Sequence, residues 1–333
     1  MMRKVERWLR ALERPQECCL LWIWVSLLMV PMSASSAQLI VLGVAQDAGY
    51  PQIDCYEPRC LNLWDDFELQ SGATSIAVVN GQGRVLLFDA APELPEQLYV
   101  LWRHSKARVS DIDGLFLTHA HMGHYLGLAH LGKEAAGARE VPVYVMPRFK
   151  QFLERNGPWS QLVTERNILL RELNDEQWVA VNDVRVKPML VPHRDEYSET
   201  VGFVIEAGQR VLYLPDIDKW GKWAWNLADV LETVDWAFID ASFFGQGELP
   251  GRDMSLIPHP TVSETMTLLA NVSEVEKSKV RFIHMNHTNP LLQKASPQRE
   301  AVRAAGFGIA RHGEVIDLVL DNSALLRLRS IDD

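Results

Sequence analysis

The sequence is poor in cysteine and contains no repeats. Only four of its 333 residues are cysteine, and two of these, Cys18 and Cys19, stand near the amino end. The other two, Cys55 and Cys60, allow one disulfide at most, which excludes a fold built on disulfides. No tandem repeat, low-complexity tract or long linker divides residues 38–333, so we interpret them as one domain.

Long apolar runs are also scarce. The marked one covers residues 18–30 and is short for a membrane span, which needs about 20 residues. Basic residues precede this run, and small residues follow it up to Ala37. This order predicts a signal peptide over residues 1–37 and a secreted or periplasmic protein. An uncleaved amino-terminal anchor is the alternative, and no other contact with a membrane is expected.

Positive charge is in deficit. The chain has 33 Lys and Arg residues against 43 Asp and Glu residues, a formal net charge of −10. Loss of residues 1–37 would remove five of the basic and three of the acidic residues, which changes the charge to −12. A nucleic acid partner is disfavoured because its phosphates are negative too. We expect a small-molecule substrate.

Short β-branched segments alternate with helical segments, which indicates an α/β fold. The predicted strands are 39–43, 75–80, 85–89, 114–118, 141–146, 184–191, 201–206, 211–214, 237–239 and 280–284. The predicted helices are 95–104, 124–136, 148–155, 220–231, 262–269 and 298–305. Two such series suggest stacked sheets with helices outside them.

Three histidines lie within six residues at the end of one predicted strand. His119 and His121 are two apart in the extended exit of the strand, so their rings can point the same way, and His124 begins the next helix. Neutral imidazole is a favoured ligand for zinc, iron, nickel and copper. The triplet therefore predicts a metal site.

The segment from Thr118 to His124 resembles the His-x-His-x-Asp-His motif of the metallo-β-lactamase superfamily, with Gly123 in place of the aspartate. Residues 42–52, 72–79 and 85–89 resemble the branch that includes pyrroloquinoline-quinone synthesis protein B. The resemblance covers nearly all of residues 38–320. It implies an αββα sandwich of two mixed sheets flanked by helices.

The resemblance also implies a set of metal ligands at strand ends. Its members are His119, His121, His124, His193, Asp216 and His284. Asp216 is the expected bridging carboxylate, although Asp218 could replace it or cap a helix. Asp89, at the end of a predicted strand, is expected to orient the ligand loop by hydrogen bonds.

Gly123 removes a carboxylate that the family uses for its second metal. We therefore expect one tightly bound metal and a weaker second one. Asp47, in the loop after the first strand, could lean into the second site, or it could form a turn before Gly49.

A separate structural zinc site is implied by a phosphodiesterase-like branch of the superfamily, which handles phosphonate breakdown. In that branch a histidine three residues after the last active-site ligand joins a cysteine cluster. Here the matching residues are His287, Cys55 and Cys60. A Cys55–Cys60 disulfide and two free thiols are the alternatives.

These features predict a hydrolase that binds one or two zinc ions, with iron as the alternative metal. A bound divalent ion lowers the pKa of water from about 15.7 toward 7, so metal-bound hydroxide could attack an ester, a phosphodiester or a related bond. Asp216 and His259 are the catalytic candidates; His259 could act as an acid, bind an oxyanion or be an ordinary loop histidine. Weaker pocket candidates are Arg194, Tyr197, Asp240 and Arg252. The alternative functions are metal-dependent oxidation, and metal or ligand binding without catalysis.

Overall fold

Two seven-stranded sheets form the centre of the structure, a computed structural model that describes residues 37–319. The first sheet consists of β1 (Ala37–Gly43), β2 (Ser75–Val79), β3 (Val85–Phe88), β4 (Ile112–Phe116), β5 (Val141–Val145), β6 (Ile168–Glu172) and β14 (Val315–Leu318). The second consists of β7 (Val179–Val181), β8 (Val184–Leu190), β9 (Val201–Ala207), β10 (Gln209–Leu214), β11 (Trp236–Asp240), β12 (Val280–Ile283) and β13 (Gly308–Ile309). The predicted signal peptide lies outside the described residues, except for Ala37, which begins β1.

Both sheets are mixed. The first has the order β14-β1-β2-β3-β4-β5-β6, antiparallel from β14 to β3 and parallel from β3 to β6. The second has the order β13-β12-β11-β10-β9-β8-β7, antiparallel from β7 to β10 and parallel from β10 to β13. Since β8 and β10 are each antiparallel to β9, these two strands also share a direction. Their carboxyl ends therefore lie at one edge of the sheet, together with those of β11 and β12.

The helices are short. They are α1 (Pro58–Leu61), α2 (Leu94–Ser105), α3 (Met122–Tyr125), α4 (Pro147–Arg155), α5 (Trp159–Thr164), α6 (Leu227–Glu232), α7 (Val262–Leu268), α8 (Glu274–Lys279) and α9 (Pro297–Ala304). Turns of 3-10 helix cover Phe67–Leu69, Val109–Asp111, Leu126–Leu131, Trp220–Lys222, Met254–Leu256 and Pro290–Leu292. Between residues 37 and 319, no helix has the length and apolar character that a bilayer crossing needs.

The main core lies between the two sheets. Phe88 and Phe116 of the first sheet stack with ring centroids 5.2 Å apart, and both contact Phe203 of the second sheet. A separate cluster joins the other face of the first sheet to Leu101 of α2 and Phe149 of α4. On the second sheet, the main core includes buried side chains of α6, α7 and α9. The layers are therefore helix, sheet, sheet and helix, which confirms the predicted sandwich.

Two predicted helices are wrong in extent. After α3 the chain continues as 3-10 helix only to Leu131, because His124 O and Gly127 N, which a longer α-helix would pair internally, are hydrogen-bonded to the backbone of Ala90. The predicted helix 220–231 is broken, and its second part restarts where the Asn226 side chain accepts a hydrogen bond from Ala228 N. Four strands were not predicted: β6, β7, β13 and β14. Of these, β7 and β13 have only three and two residues, too few for an apolar pattern to stand out.

Candidate metal centre

The six predicted metal ligands meet at one edge of the sandwich. His119, His121 and His124 follow β4, while His193, Asp216 and His284 follow β8, β10 and β12. Five of these residues therefore stand within five residues of the carboxyl end of a strand, where a rigid sheet can hold a side chain in place, and His124 lies in α3. The ring centroids of His119 and His193, which come from different sheets, are 5.3 Å apart.

The first cluster consists of His119, His121, His193 and Asp216, whose ligand atoms all lie within 4.8 Å of one another. His121 Nδ1 is 2.9 Å from His119 Nε2 and 3.2 Å from His193 Nε2. Asp216 Oδ2 is 3.3 Å from His119 Nε2 and 3.2 Å from His193 Nε2. Zinc–nitrogen bonds of about 2.0–2.1 Å place tetrahedral ligand atoms roughly 3.3 Å apart, so these residues fit a zinc ion.

The second cluster consists of Asp47, His124 and His284, and Asp216 lies beside it. His124 Nε2 is 3.7 Å from Asp47 Oδ1 and 4.0 Å from Asp216 Oδ2. His284 Nε2 is 3.9 Å from Asp216 Oδ2. Asp216 thus lies between the two clusters, as the bridging role predicts, and Asp47 brings a carboxylate to the second cluster.

Buried hydrogen bonds orient His124. Its Nδ1 lies 2.8 Å from Asp89 Oδ2, while the other oxygen of Asp89 accepts hydrogen bonds from the Thr118 backbone N and Oγ1. Tyr213 Oη donates to Asp89 as well. Asp89 is fully buried and has a φ of 64°, a left-handed conformation that is uncommon outside glycine. The predicted role of Asp89 in orienting the ligand loop is confirmed.

Similar contacts support two other ligands. Ser242 Oγ lies 2.9 Å from His284 Nδ1 and donates to Asp240 Oδ1, which is fully buried. His121 Nε2 is 2.9 Å from Glu196 Oε2 on an exposed loop. A partner on one ring nitrogen fixes the ring orientation and directs the other nitrogen toward the metal. No pattern in the sequence indicated Ser242 or Glu196, whereas Asp240, at the end of the apolar strand β11, has the same sequence pattern as Asp89.

The electrostatics also suit metal binding. Burial holds the pKa of His119 and of His284 well below the usual value and also lowers the pKa of His121, which favours the neutral, ligating form. Burial opposes ionisation of Asp216, but the rings of His193 and His259 outweigh it and hold its pKa well below the usual value. The cluster therefore combines the neutral imidazoles of His119 and His121 with an ionised carboxylate.

Two further histidines are held by carboxylates. Burial alone would lower the pKa of His124, but the Asp89 carboxylate reverses the direction and raises it to about 9. His259 behaves in the same way, since Asp240 and Asp216 overcome burial and raise its pKa to about 9. His259 Nδ1 is 2.9 Å from Asp240 Oδ2 and 3.2 Å from Asp216 Oδ1. This histidine therefore contacts two buried carboxylates, one of which belongs to the first cluster.

The structural zinc site is not formed. Cys55 and Cys60 are joined in a disulfide, with 5.8 Å between their Cα atoms. Disulfide sulfurs carry no thiolate charge, so the predicted zinc site at Cys55, Cys60 and His287 is wrong and the disulfide alternative is correct. His287 lies near Arg59, and burial and the charge of Arg59 lower its pKa.

Other candidates lie outside the clusters. Asp218 accepts hydrogen bonds from Lys219 N and Lys222 Nζ, and it belongs to neither cluster, whereas Asp216 lies in the first. Arg194 lies 3.8 Å from Glu196, and Tyr197 is exposed. Arg252, in the segment before α7, is exposed too.

Comparisons with known proteins agree with this geometry. The model of the beta-lactamase superfamily domain matches residues 84–285 of the chain. Coenzyme PQQ synthesis protein B of Xanthomonas campestris pv. campestris (strain B100) is 25% identical over 306 residues, which cover 84% of this chain and 100% of that protein.

Solved structures share the fold. Zn(2+)-bound PqqB from Methylobacterium extorquens has a TM-score of 0.71 and 22% identity, covering 84% of this chain and 99% of that one. A diphosphatase from the PhnP family has a TM-score of 0.61 and 22% identity, covering 84% and 96%. At these identities the similarity is one of fold.

Proposed function

Because the chain belongs to the beta-lactamase superfamily, we propose that it is a metal-dependent hydrolase of an ester, a phosphodiester or a related bond in a small molecule. The observation that carries this proposal is the first cluster, where three histidines and Asp216 bring four ligand atoms within 4.8 Å of one another. A set of that size and chemistry, at the carboxyl edge of two sheets, favours a catalytic metal centre.

Zinc is the proposed metal. The donor spacing of the first cluster fits it, and PqqB from Methylobacterium extorquens was solved with zinc bound. In such a site a divalent ion supplies Lewis acidity, which activates water and polarises an oxygen of the substrate. His119, His121, His193 and Asp216 would hold the first ion.

His259 is the proposed proton donor to the leaving group. Asp240 and Asp216 engage its Nδ1, which leaves Nε2 as the ring atom that can face a substrate. The variant His259→Gln should lower kcat by about 10²–10⁴-fold at unchanged zinc content. The loss should be largest for substrates with poor leaving groups, because these need the proton most. An equal loss for all leaving groups would contradict the role.

Oxidation is the second candidate. A set of three histidines and one carboxylate also suits iron, and the relative from Xanthomonas campestris is named for coenzyme PQQ synthesis. Iron retained after aerobic purification, with substrate-dependent oxygen uptake, would favour oxidation over hydrolysis.

The test combines metal analysis with turnover. Protein purified without a chelating tag is analysed for its elements, then assayed with bis(4-nitrophenyl) phosphate and 4-nitrophenyl acetate. We expect zinc, and turnover that EDTA abolishes and added zinc restores. Bound metal without turnover of either substrate would favour a metal-binding or ligand-binding protein, and absence of metal would overturn the proposal.

We also propose that the protein is exported. Disulfides persist in oxidising compartments, and Cys55 and Cys60 are paired, in agreement with the leader predicted over residues 1–37. Amino-terminal sequencing of protein from a periplasmic or culture fraction should start at Gln38. Recovery only from the cytoplasm, with the leader intact, would contradict export.

A further inference from the structure

We propose that Asp47 replaces the aspartate missing from the histidine motif, so that the protein binds a second metal ion through Asp47, His124, His284 and the shared Asp216. This inference rests on the proposed function because it assigns ligands within the same metal centre. It replaces the expectation that Gly123 leaves the second site one ligand short.

Gly123 packs so closely against Asp47 that no side chain fits at position 123. A Cβ atom on Gly123 would lie 2.5 Å from Asp47 Cα and 2.7 Å from Asp47 Oδ1, closer than real Cβ contacts come. The nearest atom belongs to the backbone of residue 47 and cannot rotate away. Asp47 therefore occupies the space in which a side chain at position 123 would begin, and glycine is required there because the carboxylate arrives from another loop.

Buried polar atoms without hydrogen-bond partners surround the proposed second site. Asp47 Oδ1, His124 Nε2 and His284 Nε2 are buried, and none has a hydrogen-bond partner in the described part of the chain. Such atoms are unfavourable unless a ligand satisfies them. The ligand atoms of Asp47, His124 and His284 lie within 4.8 Å of one another, so one cation could bind all three.

Backbone hydrogen bonds hold the loop that carries Asp47 next to His284. Gln46 N donates to Met285 O, and Met285 N donates to Val44 O, at 2.9 and 2.8 Å. Thr74 contributes its backbone N and Oγ1 as donors to Ala45 O. The loop that carries Asp47 is thus hydrogen-bonded to the residue that follows His284, which holds two ligands of the second cluster side by side.

A turn-forming role does not explain the side chain of Asp47. The turn in this loop closes through a backbone hydrogen bond from Gly49 N to Gln46 O. Asp47 Oδ1 takes no part in that turn and lies toward His124 instead. The geometry therefore favours the ligand role over the turn role.

The experiment counts metal ions in the full chain. Wild type and Asp47→Asn are stripped with EDTA, reloaded with zinc, and analysed by elemental mass spectrometry and by competition with a chromophoric chelator. Asn keeps the shape of Asp47 but removes its charge. Loss of an outer-shell partner costs about 10–100-fold in metal affinity, so loss of a ligand should weaken the second site by at least that factor.

Asp65→Asn is the matched control, because it is the same substitution at an exposed aspartate that belongs to neither cluster. We expect two zinc ions in wild type and in this control, and one in Asp47→Asn. A second variant, Gly123→Ala, keeps every ligand, but its added Cβ would clash with Asp47 and displace it. This variant should also lose the second ion and keep the first.

Each other outcome has a definite meaning. Two tight ions in Asp47→Asn would overturn the role of Asp47 and leave the proposed metal centre standing. One ion in both wild type and Asp47→Asn would do the same. Absence of bound zinc in wild type would overturn the proposed function along with this inference.

Discussion

The two clusters share Asp216 but are built differently. Donor atoms of the first are 2.9–3.3 Å apart, whereas the distances measured in the second are 3.7–4.0 Å. His121 in the first cluster is supported by Glu196, whose side chain is 47% exposed. His124 in the second is supported by the fully buried Asp89. An exposed carboxylate thus supports His121 of the first cluster, whereas a buried carboxylate supports His124 of the second, which also includes Asp47 from another loop.

The shared residue should give the largest effect. Asp216→Asn removes the charge that both clusters use, while the buried amide keeps the shape of the site. We expect zinc content to fall from two ions to near zero and hydrolysis to be lost. Elemental mass spectrometry after gel filtration measures this. Retention of either ion would show that Asp216 does not bridge the clusters.

Variants of single ligands should separate the clusters. His193→Ala should lose the first ion and keep the second, and His284→Ala should do the reverse, because His193 lies in the first cluster and His284 does not. His104→Ala is the control and should keep both ions, since His104 lies outside every cluster among the described residues. Equal loss of both ions in the two variants would mean that the clusters bind metal as one unit.

A smaller effect is expected at the buried support. In Asp89→Asn an amide replaces the carboxylate that holds His124 Nδ1 and the backbone of Thr118. Zinc affinity of the second cluster should fall by about 10–100-fold, with a smaller change in the first. Competition titration against a chromophoric chelator measures both affinities. Unchanged zinc affinity at the second cluster would show that Asp89 does not support metal binding by His124.

The exposed support should matter least. Glu196→Gln weakens the contact to His121 Nε2, but solvent already screens that carboxylate. The same titration should show a fall in first-cluster affinity of less than about tenfold, the lower end of outer-shell effects. A loss as large as that of Asp89→Asn would contradict the distinction between the two supports.

The sequence was sufficient to predict the first cluster. Three histidines within six residues mark the end of β4, and the resemblance to a known motif led to His193, Asp216 and His284 at the ends of other strands. An apolar strand followed by a polar residue can be recognised in a sequence. The strand is apolar because it is buried, and the polar residue that follows it lies at the sheet edge, where it can bind a metal.

The second cluster was predicted only in part. Asp47 lies far from the motif in sequence, and nothing local shows that its loop is hydrogen-bonded beside His284. The proposed pairing of Asp47 with the histidine motif rests on the three-dimensional structure, above all on the packing of Gly123 against the backbone of Asp47. Likewise, the sequence does not distinguish a zinc site from a disulfide for two cysteines separated by four residues. The structure does, because the two Cα atoms are 5.8 Å apart and the sulfurs are bonded.

The most direct test of the account is an anomalous difference map at the zinc edge from a crystal of the zinc-loaded protein. We expect two peaks, one on each side of Asp216. The first should lie next to His119, His121 and His193, and the second next to Asp47, His124 and His284. A single peak at the first cluster would contradict the second site, and a peak beside Cys55 and Cys60 with none at Asp216 would contradict the whole centre.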